Sequence, residues 1–264
     1  MHESESPKDI TPPIEYLSPA TTVRMADEWF DVSDLDHFWV QWRFQALMRH
    51  SALLPKTGSS VLEVGCGHGL VRAQLETEMD YTVDACDLNE LPIKKIQGGK
   101  GRLLVYDIME KHPDMCQKYE AVFLMDVLEH IEQHVSFLNS CLYHIKPGGL
   151  VAINVPAFNM LFSRYDARNG HVRRYNKPMM KALLAEAGVE LLAISYWGLP
   201  MLPIILLRKY YLNLVAEDKI MESGFRPPST LVHMLFKLLK SIEIQFPYTP
   251  PVGTSLIALG RVRS

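Results

Sequence analysis

Val61-Leu62-Glu63-Val64-Gly65-Cys66-Gly67-His68-Gly69-Leu70 is the stretch on which the fold of this chain turns. A short apolar run carries one acidic residue, Glu63, and then breaks into three glycines at alternate positions. The run suits a buried strand, and the glycines mark a tight loop that leads into a helix. Because glycine has no Cβ, the same loop lets a ligand come close to the backbone. The next apolar run, Thr82 to Cys86, is closed by Asp87, at the spacing of about 20 residues expected of a carboxylate that accepts two ribose hydroxyls. Loop and carboxylate together point to a nucleoside cofactor.

Outward from this segment, strands and helices alternate. Ser60–Val64 reads as a strand, Leu70–Glu78 as a helix, and Thr82–Cys86, Leu103–Tyr106 and Ala121–Met125 as further strands. Val135–Ile145 reads as a helix stopped by Pro147-Gly148-Gly149, and Leu150–Val155 as a fifth strand. A helix over Lys177–Ala187 and strands over Leu191–Tyr196 and Ser255–Gly260 follow. The expected fold is α/β: a Rossmann-like, seven-stranded, mostly parallel sheet with helices on both faces, an N-terminal helical cap and a helical insertion before the last strand. The organisation read from the chain is a disordered tail over 1–15, the cap over 16–56, a cofactor-binding core over 57–198, the insertion over 199–250 and the last strand over 251–264. In such sheets ligands bind beyond the carboxyl ends of the strands. Gly65, Asp87, Asp107 and Asp126 all fall just after strand ends, so four strands aim at one crevice.

The 264 residues are 48% hydrophobic and 22% charged, ordinary for a globular protein, and the formal net charge of -3 argues against nucleic acid as a partner. Cys66, Cys86, Cys116 and Cys141 form no C-x-x-C pair, so neither a disulfide framework nor a zinc site is expected, and a cytoplasmic location is the default. The polar, acidic start lacks the pattern of a secretory signal. The longest apolar run, Leu199 to Leu207, contains two prolines and is shorter than the roughly 20 residues a membrane span needs.

The third glycine, Gly69, arrives one residue earlier than in the G-x-G-x-x-G dinucleotide fingerprint. In this form Glu63-Val64-Gly65-Cys66-Gly67-His68-Gly69 resembles the first motif of class I S-adenosylmethionine-dependent methyltransferases. The resemblance implies that Asp87 and Leu88 face the ribose, and that Asp107 and Ile108 face the adenine. Met125-Asp126-Val127-Leu128-Glu129-His130 is similar to the segment that lines the methionine end in the quinone-biosynthesis-like branch. Lys146-Pro147-Gly148-Gly149 and Gly253-Thr254-Ser255 are similar to further parts of the family. The implied cofactor is S-adenosyl-L-methionine, held by Glu63, Gly65, Cys66, Gly67, Gly69, Asp87, Leu88, Asp107, Ile108, Met125, Asp126, Val127 and His130. Arg43, in the segment before the first strand, is expected to pair with the cofactor carboxylate. The neighbouring aromatics Trp39 and Trp42 suit either the sulfonium or the core.

The segment Asp166 to Tyr175 faces the methyl acceptor in the family, and His171 is the candidate catalytic base, with Arg173 or Arg174 as candidate anchors for an acidic group. Glu129, His130 and His134 place two histidines at i and i+4, but without an obvious third ligand, so no metal is expected. Leu202, Ile205, Leu206 and Tyr210 share one helix face, and Leu235, Leu238, Leu239 and Ile242 share another. A lid over the acceptor site is the favoured role, with a dimer contact or peripheral membrane contact as the alternatives. The expected activity is methyl transfer to an oxygen or nitrogen of a small-molecule acceptor, whether metabolite, sugar or lipid-like molecule. An NAD(P)-dependent oxidoreductase and a non-catalytic methyltransferase-like subunit are the alternatives.

Overall fold

The computed structural model describes residues 12–21, 33–216, 230–245 and 249–263. Most of the expected tail, residues 22–32 of the expected cap, residues 217–229 and 246–248 of the expected insertion, and residue 264 lie outside the described residues.

The strands are β1 (Ile14–Tyr16), β2 (Ser60–Val64), β3 (Thr82–Asp87), β4 (Leu103–Val105), β5 (Tyr119–Met125), β6 (Ile145–Pro156), β7 (Val189–Trp197) and β8 (Ser255–Val262). They form one sheet in the order β1-β4-β3-β2-β5-β6-β8-β7. Neighbours from β1 to β6 run parallel, and β8 lies antiparallel between β6 and β7. The interior strands are continuous apolar runs because helices bury both of their faces. Val61, Leu62, Val83, Ala85, Val122 and Phe123 are fully buried.

The sheet has eight strands where the sequence reading expects seven. The additional strand, β1, lies in the stretch read as tail and start of the cap. It is three residues long, directly follows Pro12-Pro13 and pairs Ile14, Glu15 and Tyr16 with Leu103, Leu104 and Val105 at the sheet edge. Its main-chain bonds hold it rather than burial, since Tyr16 is exposed, so no hydrophobic pattern marks it.

The helices are α1 (Phe38–Met48), α2 (Leu70–Glu78), α3 (Glu90–Ile93), α4 (His134–Leu142), α5 (Arg164–Arg168), α6 (Lys177–Glu186), α7 (Leu202–Leu212) and α8 (Thr230–Gln245). α6 has an Asn176 cap whose side chain accepts the Met179 N–H, with Pro178 in its first turn. Alternating strand residues build two cores. Leu62, Val122 and Ile153 point to one, and Val61, Phe123 and Ile257 point to the other. The second core also takes Trp42, Phe44 and Leu47 of α1, Ile205 of α7 and Phe236 of α8. Cap and insertion thus cover the same face of the sheet.

One buried carboxylate fastens them together. Glu243 of α8 accepts the Trp42 indole N–H at 3.2 Å and the backbone N–H groups of Gly198 and Leu199, both at 2.8 Å. Removing a buried acceptor strands its donors, at a cost of about 1–3 kcal/mol per group. Glu243→Ala is therefore expected to destabilise the protein by roughly 2–4 kcal/mol in denaturant titration, and Glu243→Gln by less, because the amide oxygen still accepts.

Candidate functional site

The strand ends build the site. After β2 the chain turns through Gly65, Gly67 and Gly69 with φ of 73°, 53° and 79°, a left-handed region that L side chains rarely adopt. A Cβ on Gly65 would lie 2.6 Å from Val127 Cγ2, so the loop after β5 packs directly on the glycine loop. The Gly65 and Cys66 N–H groups donate to the Cys86 carbonyl at 2.8 and 3.1 Å. Asp87 Oδ2 accepts the Gly67 N–H at 2.9 Å, and Oδ1 accepts the Asn89 N–H at 2.9 Å. Burial raises the Asp87 pKa, against the backbone hydrogen bonds of Asn89 and Gly67. Each carboxylate oxygen keeps acceptor capacity for a ribose hydroxyl. At the end of β4, Asp107 Oδ1 accepts the Met109 N–H at 2.9 Å, and the Asp107 N–H donates to Ser18 Oγ at 2.8 Å. This bond ties the segment after β1 to the crevice at the end of β4.

Glu63 is buried at the end of β2, with Oε2 lacking a hydrogen-bond partner. Burial pushes its carboxyl up to about 8, against the opposing pull of Arg43 and Arg72. Arg43 reaches from α1 to Asp126, with Nη1 2.7 Å from Oδ2. In this structure the guanidinium sequence reasoning expects at the cofactor carboxylate is thus held at the cavity wall by Asp126. The other Asp126 oxygen accepts from the Asn154 side chain, whose Oδ1 in turn accepts the Trp197 indole at 2.8 Å. Asn154 is missing from the sequence reading, although a lone amide inside the apolar run Leu150–Val155 is a visible signal.

Beyond the end of β5, Glu129 and His130 meet the segment that follows β6. The His130 and His171 rings pack edge-on with centroids 4.8 Å apart. His171 Nδ1 lies 3.0 Å from Asp166 Oδ1, and that oxygen also accepts Arg174 Nε at 2.8 Å. Burial opposes ionisation of Asp166, but the His171 hydrogen bond and the Arg174 charge outweigh it and hold its pKa below the usual carboxylate range. Burial, then the Asp126 charge, raises Glu129 well above its ordinary value. Burial, then His171, lowers His130 to about 3. His134 turns away, with Nδ1 2.8 Å from the Tyr175 hydroxyl.

These groups surround one cavity of about 670 Å³. Arg43, Glu63, Gly65, Cys66, Gly67, Asp87, Leu88, Asp107, Ile108, Met125, Asp126, Val127, His130 and His171 all line it. Gly69 stands apart. It caps α2 in a left-handed conformation, and a Cβ there would meet Ile96 at 2.9 Å. Trp42 is core, whereas Phe38 and Trp39 border the cavity. Sequence reasoning favours a lid for the insertion without naming its wall residues, and the structure places Met201, Ile204, Ile205, Leu207, Tyr211 and Phe236 along the wall.

A crevice at the carboxyl ends of parallel strands, with a glycine loop and a ribose-type carboxylate, defines a nucleoside-cofactor-binding α/β protein. Residues 36–194 match the sequence profile of the methyltransferase-domain family, and the chain belongs to that family, within the class I superfamily that uses S-adenosylmethionine. The ubiquinone biosynthesis O-methyltransferase of Vibrio vulnificus (strain YJ016) is 30% identical over 100 residues, which cover 36% of this chain and 42% of that protein. The match thus spans about two fifths of the relative's length. A SAM-dependent methyltransferase from Archaeoglobus fulgidus superposes with a TM-score of 0.53 at 18% identity, over 89% of this chain and 97% of that one. The [4+2]-cyclase SpnF superposes with a TM-score of 0.58 at 13% identity, over 94% and 99%. At these identities the superpositions show the fold, and a fold shared with a cyclase leaves the reaction to the site.

Glu63 makes stability depend on pH. Its folded-state pKa of about 8 lies above its ordinary 4.5, so the folded protein binds this proton more tightly than the unfolded chain does. That contribution is complete below pH about 4.5 and is lost as pH rises through about 8. The melting temperature of the cofactor-free protein is expected to fall across this window, and Glu63→Gln is expected to flatten the fall. An unchanged slope in the variant would contradict the assignment.

Proposed function

We propose that this protein transfers a methyl group from S-adenosylmethionine to an oxygen or nitrogen of an apolar, lipid-like small molecule. The observation that carries the reading is the continuity of one cavity. It runs from Asp87 and the glycine loop to His171, and insertion side chains such as Met201, Ile204, Ile205 and Phe236 build an apolar wall along it. A site lined this way favours an acceptor with apolar surface to bury.

The methyl group of a sulfonium is strongly electrophilic, so the protein mainly has to align donor and acceptor and exclude water. The acceptor's lone pair forms the new bond to the methyl carbon as the carbon–sulfur bond breaks. Its electrons return to sulfur, leaving a neutral thioether. An O–H or N–H nucleophile must also lose a proton. Asp166 stays ionised and accepts the His171 Nδ1–H, which leaves the Nε2 lone pair free to take that proton.

The cytoplasm is the proposed location. Among the described residues no helix is long and apolar enough to cross a membrane, and the four cysteines are free. Leu207, Tyr210, Leu214 and Leu238 leave apolar surface exposed on the insertion, which supports peripheral contact with a bilayer that carries such an acceptor. Self-association through the same surface is the competing use, and vesicle co-sedimentation beside sedimentation analysis separates the two.

Asp87→Ala is expected to weaken S-adenosylhomocysteine binding by roughly 10-fold or more in calorimetry, as loss of hydrogen bonds to a charged group implies. Thermal stabilisation by NAD but not by S-adenosylhomocysteine would overturn the cofactor assignment. In a screen of phenols with prenyl tails, short polar phenols and sugars, turnover is expected with the tailed compounds. Turnover of sugars alone would remove the lipid-like part of the reading. With the chelator-treated protein, His171→Ala is expected to lower kcat about 10²–10⁴-fold with cofactor affinity unchanged.

A further inference from the structure

Glu129 and His171 lie outside the residues expected to hold the cofactor, and His130, expected among those residues, meets both of them. From sequence, a metal is rejected because Glu129, His130 and His134 lack a third ligand. The structure removes His134, which faces Tyr175, and brings His171 in from the segment after β6. One ligating atom from each of Glu129, His130 and His171 lies within 4.8 Å of the other two. Metal–ligand bonds of about 2.0–2.2 Å place two ligands of one cation up to about 4.4 Å apart, so small side-chain rotations bring all three onto a common ion.

A second observation is independent of that clustering. Glu129 is only 1% exposed, and neither of its carboxylate oxygens has a hydrogen-bond partner. His130 Nδ1 is likewise buried without a partner. A buried acidic group in this state needs a cation or a proton to be stable. The surroundings resemble the supporting shell of a metal site. His171 is held through Nδ1 by Asp166, itself fixed by Arg174, and this leaves Nε2 to ligate.

We propose that Glu129, His130 and His171 bind one divalent first-row transition cation, of the manganese, cobalt or zinc type, at the acceptor end of the cavity. Two imidazoles and one carboxylate suit such an ion better than magnesium or calcium, which prefer oxygen-only sets. The proposal rests on the methyl-transfer reading above and gives the acceptor a defined chemistry: a hydroxyl that completes the coordination. Bound there, the hydroxyl becomes more acidic and loses its proton to water. The oxyanion then attacks the methyl carbon, the new C–O bond forms as the C–S bond breaks, and no electron donor or acceptor is required. In the loaded protein His171 is a ligand, and in the cation-free protein it is the proton acceptor.

The test is a Co²⁺ titration of the full-length, chelator-stripped protein followed by visible absorption, with S-adenosylhomocysteine binding measured in parallel by calorimetry. One saturable equivalent of Co²⁺ is expected, competed by Mn²⁺ or Zn²⁺. Glu129→Gln and His171→Gln are each expected to weaken Co²⁺ binding roughly tenfold or more while retaining S-adenosylhomocysteine binding, which also reports that they fold. Absence of a saturable Co²⁺ band in the wild type, or equal Co²⁺ affinity in both variants, would overturn the proposal and leave the methyl-donor assignment standing. Failure of the wild type to bind S-adenosylhomocysteine would overturn the methyl-donor assignment instead, whatever the cobalt result.

Discussion

Asp87 sits at the end of β3 and holds backbone N–H groups on either side of it, Gly67 from the glycine loop and Asn89 from the turn into α3. A loop of three glycines has high conformational entropy to lose, and the glycines themselves carry no side chain to fix them. The carboxylate, together with the Cys86 carbonyl, supplies that fixation from the neighbouring strand. Because β2, β3 and β5 are parallel, their carboxyl ends emerge side by side. Once the glycine loop is pinned, Val127 packs on Gly65 and sets the path of the chain toward Glu129 and His130. The glycine-loop end and the Glu129–His130 end of the cavity are therefore positioned by the same few contacts.

The two faces of the sheet divide the work. One core is closed by helices such as α4 and α6 and serves stability, and the other carries both the cap and the insertion. Glu243 links these additions through Trp42 and the turn after β7, so side chains from sequence-distant segments form one wall. Chemistry that differs between relatives of one fold is placed in such additions, while the strand-end loops hold the common cofactor.

Features set by local pattern were legible in the sequence. The interior strands showed as apolar runs, and the strand-end acids showed by their position after those runs. β1 was not legible, because three edge residues held by main-chain pairing leave no hydrophobic period. The Arg43–Asp126 pair was not legible either, since both groups were expected near the cofactor and only their three-dimensional placement shows that they meet. The Glu129–His130–His171 group was hidden for the same reason. Its third member comes from another segment, and the histidine with suitable helical spacing, His134, is turned away by Tyr175. Asn154 left a trace that hydrophobic counting ignores: an amide in the middle of a core strand.

Asp126 adopts φ of 64°, the left-handed conformation in which a non-glycine residue stores of order 1–3 kcal/mol. Its carboxylate is engaged by Arg43 and Asn154 and its N–H by the Asn154 carbonyl of β6, so the strain is retained by contacts from both the cap and the sheet. For protein engineering this position is a point of conflict. Glycine there would relax the backbone but would leave the Arg43 guanidinium and the Asn154 amide without their acceptor, a loss of the same order. Relief of strain and loss of the acceptor are thus set in opposition at a single residue, so each choice there carries a cost.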